Sequence, residues 1–128
     1  MLVFNKSIAR VLVLAGCSVL AACPHGEQLC LSVIDPQADH LTVAIQPGGG
    51  CAANPKVTSV EIYKRGAYEQ RWAVGASAPS VLQQVTYGTV PPGFYLSIPA
   101  TLPIRSGDSV AVSIRGPGLV GGIELTAK

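Results

Sequence analysis

Residues 109–126 read SVAVSIRGPGLVGGIELT and contain two apolar alternations separated by a turn sequence. The alternating apolar residues are Val110, Val112, Ile114, Ile123 and Leu125. Because successive side chains of a strand point to opposite faces, a period of two indicates a half-buried β-strand. Gly116-Pro117-Gly118 interrupts the pattern with residues that favour turns. The segment therefore predicts a terminal hairpin of strands 109–115 and 119–126.

The same alternation recurs through residues 28–128, with glycine and proline at strand-sized intervals. The other alternating apolar residues include Leu29, Leu31, Val33, Leu41, Val43, Ile45, Val60 and Ile62. No stretch after residue 23 keeps the 3.6-residue period of an amphipathic helix. These patterns predict an all-β domain over 28–128, a small antiparallel β-sandwich of the immunoglobulin-like type with about seven or eight strands.

Residues 104–112 (IRSGDSVAV) resemble the loop and strand entry of immunoglobulin and fibronectin type III domains. In those domains a tyrosine usually occupies the position that Val110 holds here. The substitution removes the hydrogen bond of the tyrosine corner. The resemblance covers nine residues and implies an architecture rather than a function.

The first 22 residues have the pattern of a bacterial export signal. Residues 1–10 carry Lys6 and Arg10 without an acidic side chain, and residues 11–22 (VLVLAGCSVLAA) form an apolar core. This core is too short to cross a bilayer as a helix, which takes about 20 residues. The pattern predicts a lipoprotein signal peptide over 1–22 that is cleaved on export.

Leu20-Ala21-Ala22-Cys23 resembles the lipobox of bacterial lipoproteins. In that family the cysteine thiol receives a diacylglycerol, the signal is cut before the cysteine, and the new amino group is usually acylated with a fatty acid such as palmitate. The resemblance implies a lipid anchor on Cys23 and a lipidated tether over 23–27. Leu14-Ala15-Gly16-Cys17 is a second match with a shorter apolar core, so Cys17 stays open as the alternative lipidation site.

The formal net charge of +2 is a property of the precursor. Lys6 and Arg10 lie in the predicted signal, and residues 23–128 carry seven basic and seven acidic side chains, for a net charge of zero. Without a basic stripe to neutralise phosphates, nucleic-acid binding is not expected.

Cys30 and Cys51 are the cysteines that remain after Cys17 and Cys23. In an exported chain an even pair predicts a disulfide bond. The alternatives are a metal site, for which His25 and His40 have no recognisable ligand spacing, and a redox pair, for which no Cys-x-x-Cys is present.

No catalytic residue, metal ligand or cofactor is predicted. Gly107-Asp108-Ser109 resembles the nucleophile block of GDS-type lipases, but those enzymes need a downstream histidine, and none follows His40. His40 near Asp35 and Asp39 has the composition of a base with its orienting carboxylate. A solvated turn between two strands is the favoured interpretation of these three residues.

Tyr68, Trp72 and Tyr87 form the candidate binding surface, because tyrosine, tryptophan and arginine are enriched at binding hot spots. If residues 68–72 (YEQRW) were extended, Tyr68, Gln70 and Trp72 would share one strand face. The alternative is that Trp72 is the core tryptophan of the sandwich. Residues 87–94 (YGTVPPGF) fit a binding loop or a rigid connection between sheets.

The chain as a whole is similar to small lipoproteins of Gram-negative bacteria, on the evidence of Cys23-Pro24, the strand containing Cys30, and its size. Some members of that group are type VI secretion immunity lipoproteins, which neutralise a toxin in the periplasm. The resemblance implies a lipid-anchored protein of the cell envelope that faces the periplasm. Pro24, in place of the aspartate that retains many lipoproteins at the inner membrane, favours the outer membrane.

The expected function is a non-catalytic, membrane-anchored binding or assembly module with an unidentified protein partner. An immunity protein or inhibitor of a secreted antibacterial effector is the more specific alternative. A periplasmic hydrolase and a purely structural role in the envelope are further alternatives.

Overall fold

The computed structural model describes residues 28–47 and 50–128. The predicted signal, the tether and the residues Cys17, Cys23 and His25 lie outside the described residues. What the sequence predicts for them stays a prediction.

Eight strands and one 3₁₀ turn make up the secondary structure of the described residues. In chain order they are β1 (Cys30–Asp35), β2 (Thr42–Gln46), β3 (Lys56–Lys64), the 3₁₀ turn (Tyr68–Gln70), β4 (Trp72–Val81), β5 (Gln84–Thr86), β6 (Tyr95–Ile98), β7 (Ser109–Gly116) and β8 (Leu119–Thr126).

The strands form two antiparallel sheets, which confirms the predicted all-β sandwich. The larger sheet has the order β8-β7-β3-β4-β6, and the smaller has the order β1-β2-β5. In immunoglobulin nomenclature β1, β2 and β5 take the places of strands A, B and E, while β3, β7 and β8 take those of C, F and G. The chain passes from one sheet to the other after β2, β4 and β5.

The core lies between the two sheets and is built from inward-facing side chains at alternate strand positions. Its fully buried members are Trp72, Leu41, Ile62, Ile114, Val43, Val57, Val60, Val74, Val85, Val110 and Val112. β-Branched residues dominate because their shape packs well on a pleated surface. Burial of the inner faces fixes the register, since a slip of one residue would turn every apolar side chain outward.

The terminal hairpin is present as predicted. Val110 pairs with Leu125 and Val112 with Ile123, so the alternating residues of both strands share the inner face. Gly116 still pairs with Leu119, so β7 ends one residue later than predicted and the turn has two residues.

Cys30 and Cys51 form the predicted disulfide bond, with their Cα atoms 5.6 Å apart. The bond joins the first residue of β1 to the segment that precedes β3. Next to it, the Ala52 N–H donates to the Gln28 carbonyl over 2.9 Å. Closing a loop with a sequence separation of 21 contributes about 3 kcal/mol to stability in the chain-entropy model.

Gly121 is the point where β8 of the larger sheet meets the chain that enters β1 of the smaller one. It lies on the inner face, paired with Ile114. A Cβ atom at this position would lie 2.6 Å from the Leu29 carbonyl oxygen and 2.7 Å from the Leu29 Cβ. Only glycine allows the backbones to come this close.

We expect Gly121→Ala to destabilise the fold by about 1–3 kcal/mol, because the added methyl overlaps Leu29 in a packed interior. Gly122→Ala is the matched control: its Cβ would meet only the Val112 carbonyl, at 3.3 Å. Urea unfolding followed by tryptophan fluorescence measures both. Equal unfolding midpoints for the two variants would contradict the close packing of Leu29 on β8.

Candidate binding surface

The outer face of the larger sheet carries a cluster of polar and aromatic side chains. Val60 and Ile62 of β3 are buried. The residues that alternate with them, Glu61 and Tyr63, therefore point to the outer face. Gly66, with a φ of +84°, turns the chain after β3 and leads it into the 3₁₀ turn. Together these elements place Tyr68 and Arg71 next to Glu61.

Glu61 holds this group together. The Tyr68 hydroxyl lies 3.1 Å from each of its carboxylate oxygens, and the Arg71 Nε donates to Oε2 over 3.0 Å. Arg71 also donates to the Tyr68 carbonyl, and its guanidinium carbon lies 4.2 Å from the centre of the Tyr68 ring. The Tyr63 ring meets the Tyr68 ring edge to face at 4.9 Å. We refer to Glu61, Tyr63, Tyr68 and Arg71 as the Glu61 cluster.

The cluster presents a fixed aromatic ring to solvent. The Tyr68 residue is 45% exposed although its hydroxyl, its ring face and its ring edge all have partners within the chain. The hydrogen bond to Glu61 raises the pKa of Tyr68 above its ordinary value. A side chain that is already ordered loses little conformational entropy when a partner covers it.

A shallow depression continues from the cluster across β7 and β8. Its outward-facing lining consists of Tyr63, Ala111, Ser113, Gly122 and Glu124. Small side chains at its centre let an approaching group come close to the sheet. The surface therefore combines a protruding aromatic ring with a neighbouring recess.

The extended conformation that would put Tyr68, Gln70 and Trp72 on one face is not formed. Residues 68–70 form a 3₁₀ turn instead of a strand, which ends the two-residue alternation before β4 begins. Trp72 is the first residue of β4, points inward and is 1% exposed. It is the core tryptophan and not part of a binding surface.

Tyr87 also belongs to the core more than to the surface. Its ring packs against Trp72 with the ring centroids 5.6 Å apart, and its hydroxyl donates to the Leu102 carbonyl over 3.1 Å. Burial raises the pKa of Tyr87. The first residue of the segment 87–94 is therefore held against the core, which fits a rigid connection between the sheets. Of the three candidate surface residues, only Tyr68 lies in the exposed cluster.

Glu61 and Arg71 are members of the cluster that the sequence did not single out. The alternation of Val60 and Ile62 is enough to predict that Glu61 lies on the outer face. The contacts of Glu61 with Tyr68 and Arg71 depend on the turn after β3, which no local sequence pattern predicts.

His40 is held between two carboxylates in an exposed turn. Its Nε2 lies 2.9 Å from Asp35, and its Nδ1 contacts Asp39. A neutral imidazole has one N–H, so both contacts are hydrogen bonds only in the protonated ring, which has no lone pair to act as a base. The two carboxylates flank opposite ring nitrogens and do not converge on one point. Among residues 28–47 and 50–128 no group of three such side chains is arranged to hold a metal ion.

Asp108 of the Gly107-Asp108-Ser109 block closes the turn that leads into β7. Its carboxylate accepts the Arg105 N–H over 2.7 Å and lies 3.2 Å from the Lys64 ammonium. The backbone hydrogen bond from Arg105, and then Lys64, hold the pKa of Asp108 below its ordinary value. These contacts give the block a structural role.

We expect Glu61→Gln to lower the pKa of Tyr68 toward that of a free tyrosine, because the substitution removes the carboxylate that accepts its hydrogen bond. NMR titration of the tyrosine Cζ signals measures the shift. Glu69→Gln is the matched control, since it removes a carboxylate next to Tyr68 in sequence that makes no contact with its hydroxyl. The same Tyr68 titration in both variants would contradict the role assigned to Glu61.

No described helix has both the length and the apolar character needed to cross a membrane. Comparison of the chain with protein-family models, with curated proteins and with solved structures finds no match in any of the three.

Proposed function

We propose that the mature chain is a non-catalytic binding module, anchored to a bacterial membrane through a lipid on Cys23 and facing the periplasm. In this proposal the Glu61 cluster is the contact surface for a protein partner. The observation that carries this proposal is that Tyr68 is exposed and is held in place by its contacts with Glu61 and with the half-buried Arg71. Tyrosine and arginine are residue types typical of binding hot spots.

Two independent features support the compartment. Residues 1–23 have the export pattern and the lipobox. The Cys30–Cys51 disulfide supports an oxidising environment, because such bonds are rare in the cytosol of most organisms. Two or three acyl chains on Cys23 would make membrane attachment stable, whereas one chain gives reversible binding.

The shape of the surface supports a protein as partner. The exposed Tyr68 ring fits a pocket of another protein, and the depression beside Tyr63 accepts a side chain in return. A rigid surface of this kind favours a stable one-to-one complex. Such a complex fits the inhibitor version of the function, in which the module blocks a secreted effector by covering its active site.

The partner is tested by crosslinking the lipidated protein in the envelope of the producing cells and identifying what it captures. We expect Tyr68→Ala and Arg71→Ala each to weaken capture of the same protein by about 30-fold, the effect of a hot spot of about 2 kcal/mol. Tyr95→Ala is the matched control, because Tyr95 is 53% exposed on the far edge strand of the same sheet. Loss of capture in the Tyr95 variant alone would contradict the Glu61 cluster as the contact surface.

The anchor is tested with labelled palmitate. We expect Cys23→Ser to abolish labelling and to release the protein from the membrane fraction, because the acceptor thiol is lost. Cys17→Ser, in the second lipobox match, is the matched control and is expected to keep the label. Loss of the label in Cys17→Ser, with the label kept in Cys23→Ser, would move the anchor to Cys17. Label in both variants would exclude lipidation at a single lipobox cysteine.

A further inference from the structure

One end of the sandwich contains the point at which the chain enters the domain. Gln28 forms an isolated parallel β-bridge with Cys51, and the Gln28 carbonyl accepts a hydrogen bond from the Ala52 N–H. The antiparallel pairing brings the start of β3 and the end of β4 to this end, as well as the turn between β7 and β8. We refer to Gln28 and residues 52–56, 79–81 and 115–120 as the entry pole.

The entry pole is a continuous surface. A depression on it is lined by Ala52, Ala53, Asn54, Lys56, Pro79, Pro117 and Leu119, residues from three separate segments. At Gly116 a Cβ atom would overlap the Lys56 carbonyl, so the β7–β8 turn packs directly against the start of β3.

Two cations on this pole are each opposite an exposed valine. Lys56 pairs with Val81, and Arg115 pairs with Val120, in the strand register. Val81 is 47% exposed and Val120 is 60% exposed, and both cations are exposed as well. A cation beside an aliphatic side chain suits the boundary between lipid headgroups and acyl chains, where phosphates meet apolar groups.

Ion pairs divide the described cations into two groups. Lys64, Arg65 and Arg71 each form an ion pair with a carboxylate. Within residues 28–47 and 50–128, Lys56 and Arg115 of the entry pole form none, and neither do Arg105 and Lys128 outside it.

None of the described carboxylates lies on the entry pole. They are Asp35, Asp39, Glu61, Glu69, Asp108 and Glu124. In the strand register Glu61 is two residues along β3 from Ser59, the pairing partner of Arg115. The carboxylate oxygens of Glu61 are occupied by Tyr68 and Arg71. Glu27 of the predicted tether lies outside the described residues.

The length of the tether sets how far this pole can be from the membrane. Four residues lie between Cys23 and Gln28, so the two are five residue steps apart. A fully extended chain spans about 3.5 Å per step, or about 18 Å in all. A lipid on Cys23 would therefore keep the entry pole closer to the bilayer than the opposite end, which lies a further strand length away.

We propose that the entry pole docks onto the anionic phospholipid surface of the membrane that holds the anchor. Lys56 and Arg115 bind headgroup phosphates, and Val81 and Val120 contact the headgroup–acyl boundary. Docking in this way directs Tyr68 and Arg71, at the opposite end of β3, away from the bilayer and toward a partner. The inference rests on the proposed lipid anchor at Cys23.

The test uses the full, processed protein purified from membranes, with the lipid on Cys23 verified by mass spectrometry. The protein is reconstituted into vesicles of phosphatidylglycerol and phosphatidylethanolamine, or of phosphatidylcholine alone. Hydroxyl-radical footprinting then reports the solvent exposure of individual side chains. We expect Val81 and Val120 to be protected on the anionic vesicles and not on phosphatidylcholine, and Tyr68 to react equally on both.

The variant Lys56→Gln with Arg115→Gln separates charge from anchoring. Each cation near an anionic surface strengthens association about fivefold, so the pair is expected to reduce the ratio of docked to undocked protein by about 25-fold. Protection should also be lost in 1 M salt, where the screening length is about 3 Å. The matched control is Arg105→Gln with Lys128→Gln, which removes two exposed cations outside the entry pole and is expected to leave protection unchanged.

Three outcomes would overturn the proposal. Equal reactivity of Val81 and Val120 on both kinds of vesicle, in a chain verified to be lipidated, excludes docking and leaves the anchor intact. An equal loss of protection in the control variant excludes a specific role for Lys56 and Arg115. A mature chain without lipid on Cys23 removes the anchor and overturns the proposed function together with this inference.

Discussion

The packing of two sheets against each other, with alternate side chains turned inward, is the constraint on which the rest of this structure depends. Trp72, Ile62 and Val112 are enclosed because the strands that carry them present one face to the opposing sheet. The same alternation turns Glu61 and Tyr63 to the outer face. The candidate binding surface is thus a direct consequence of how the core is filled.

The strand order also separates the two ends of the domain by chemistry. At the end where the 3₁₀ turn connects β3 to β4, Glu61 and Arg71 are paired with each other, and both contact Tyr68. At the entry pole, Lys56 and Arg115 lie beside exposed aliphatic side chains. A module with a lipid at one end and a rigid aromatic group toward the other would be oriented on a membrane by its own topology.

Structural features that depend on local properties of the chain can be predicted from the sequence without knowledge of the fold. The terminal hairpin follows from alternation on both sides of Gly116-Pro117-Gly118, and the Cys30–Cys51 bond follows from an even pair in a chain with an export pattern. Strands β4, β5 and β6 have no comparable alternation. They are strands because other parts of the chain provide hydrogen-bonding partners: β3 pairs with β4, β4 with β6, and β2 with β5. A local pattern does not reveal these partners.

The all-β class, the disulfide and the outward position of Glu61 follow from the amino-acid sequence alone, because each depends on side-chain period or residue type. Tertiary structure alone decided that Trp72 is buried while Tyr68, four residues earlier, is exposed. The reason is the 3₁₀ turn: it breaks the alternation between the two residues, and the sheet that Trp72 then joins turns it inward. Tertiary structure likewise brought Lys56 and Arg115, 59 residues apart in sequence, to the same end of the sandwich, because antiparallel pairing of β3 with β7 sets the start of one beside the end of the other.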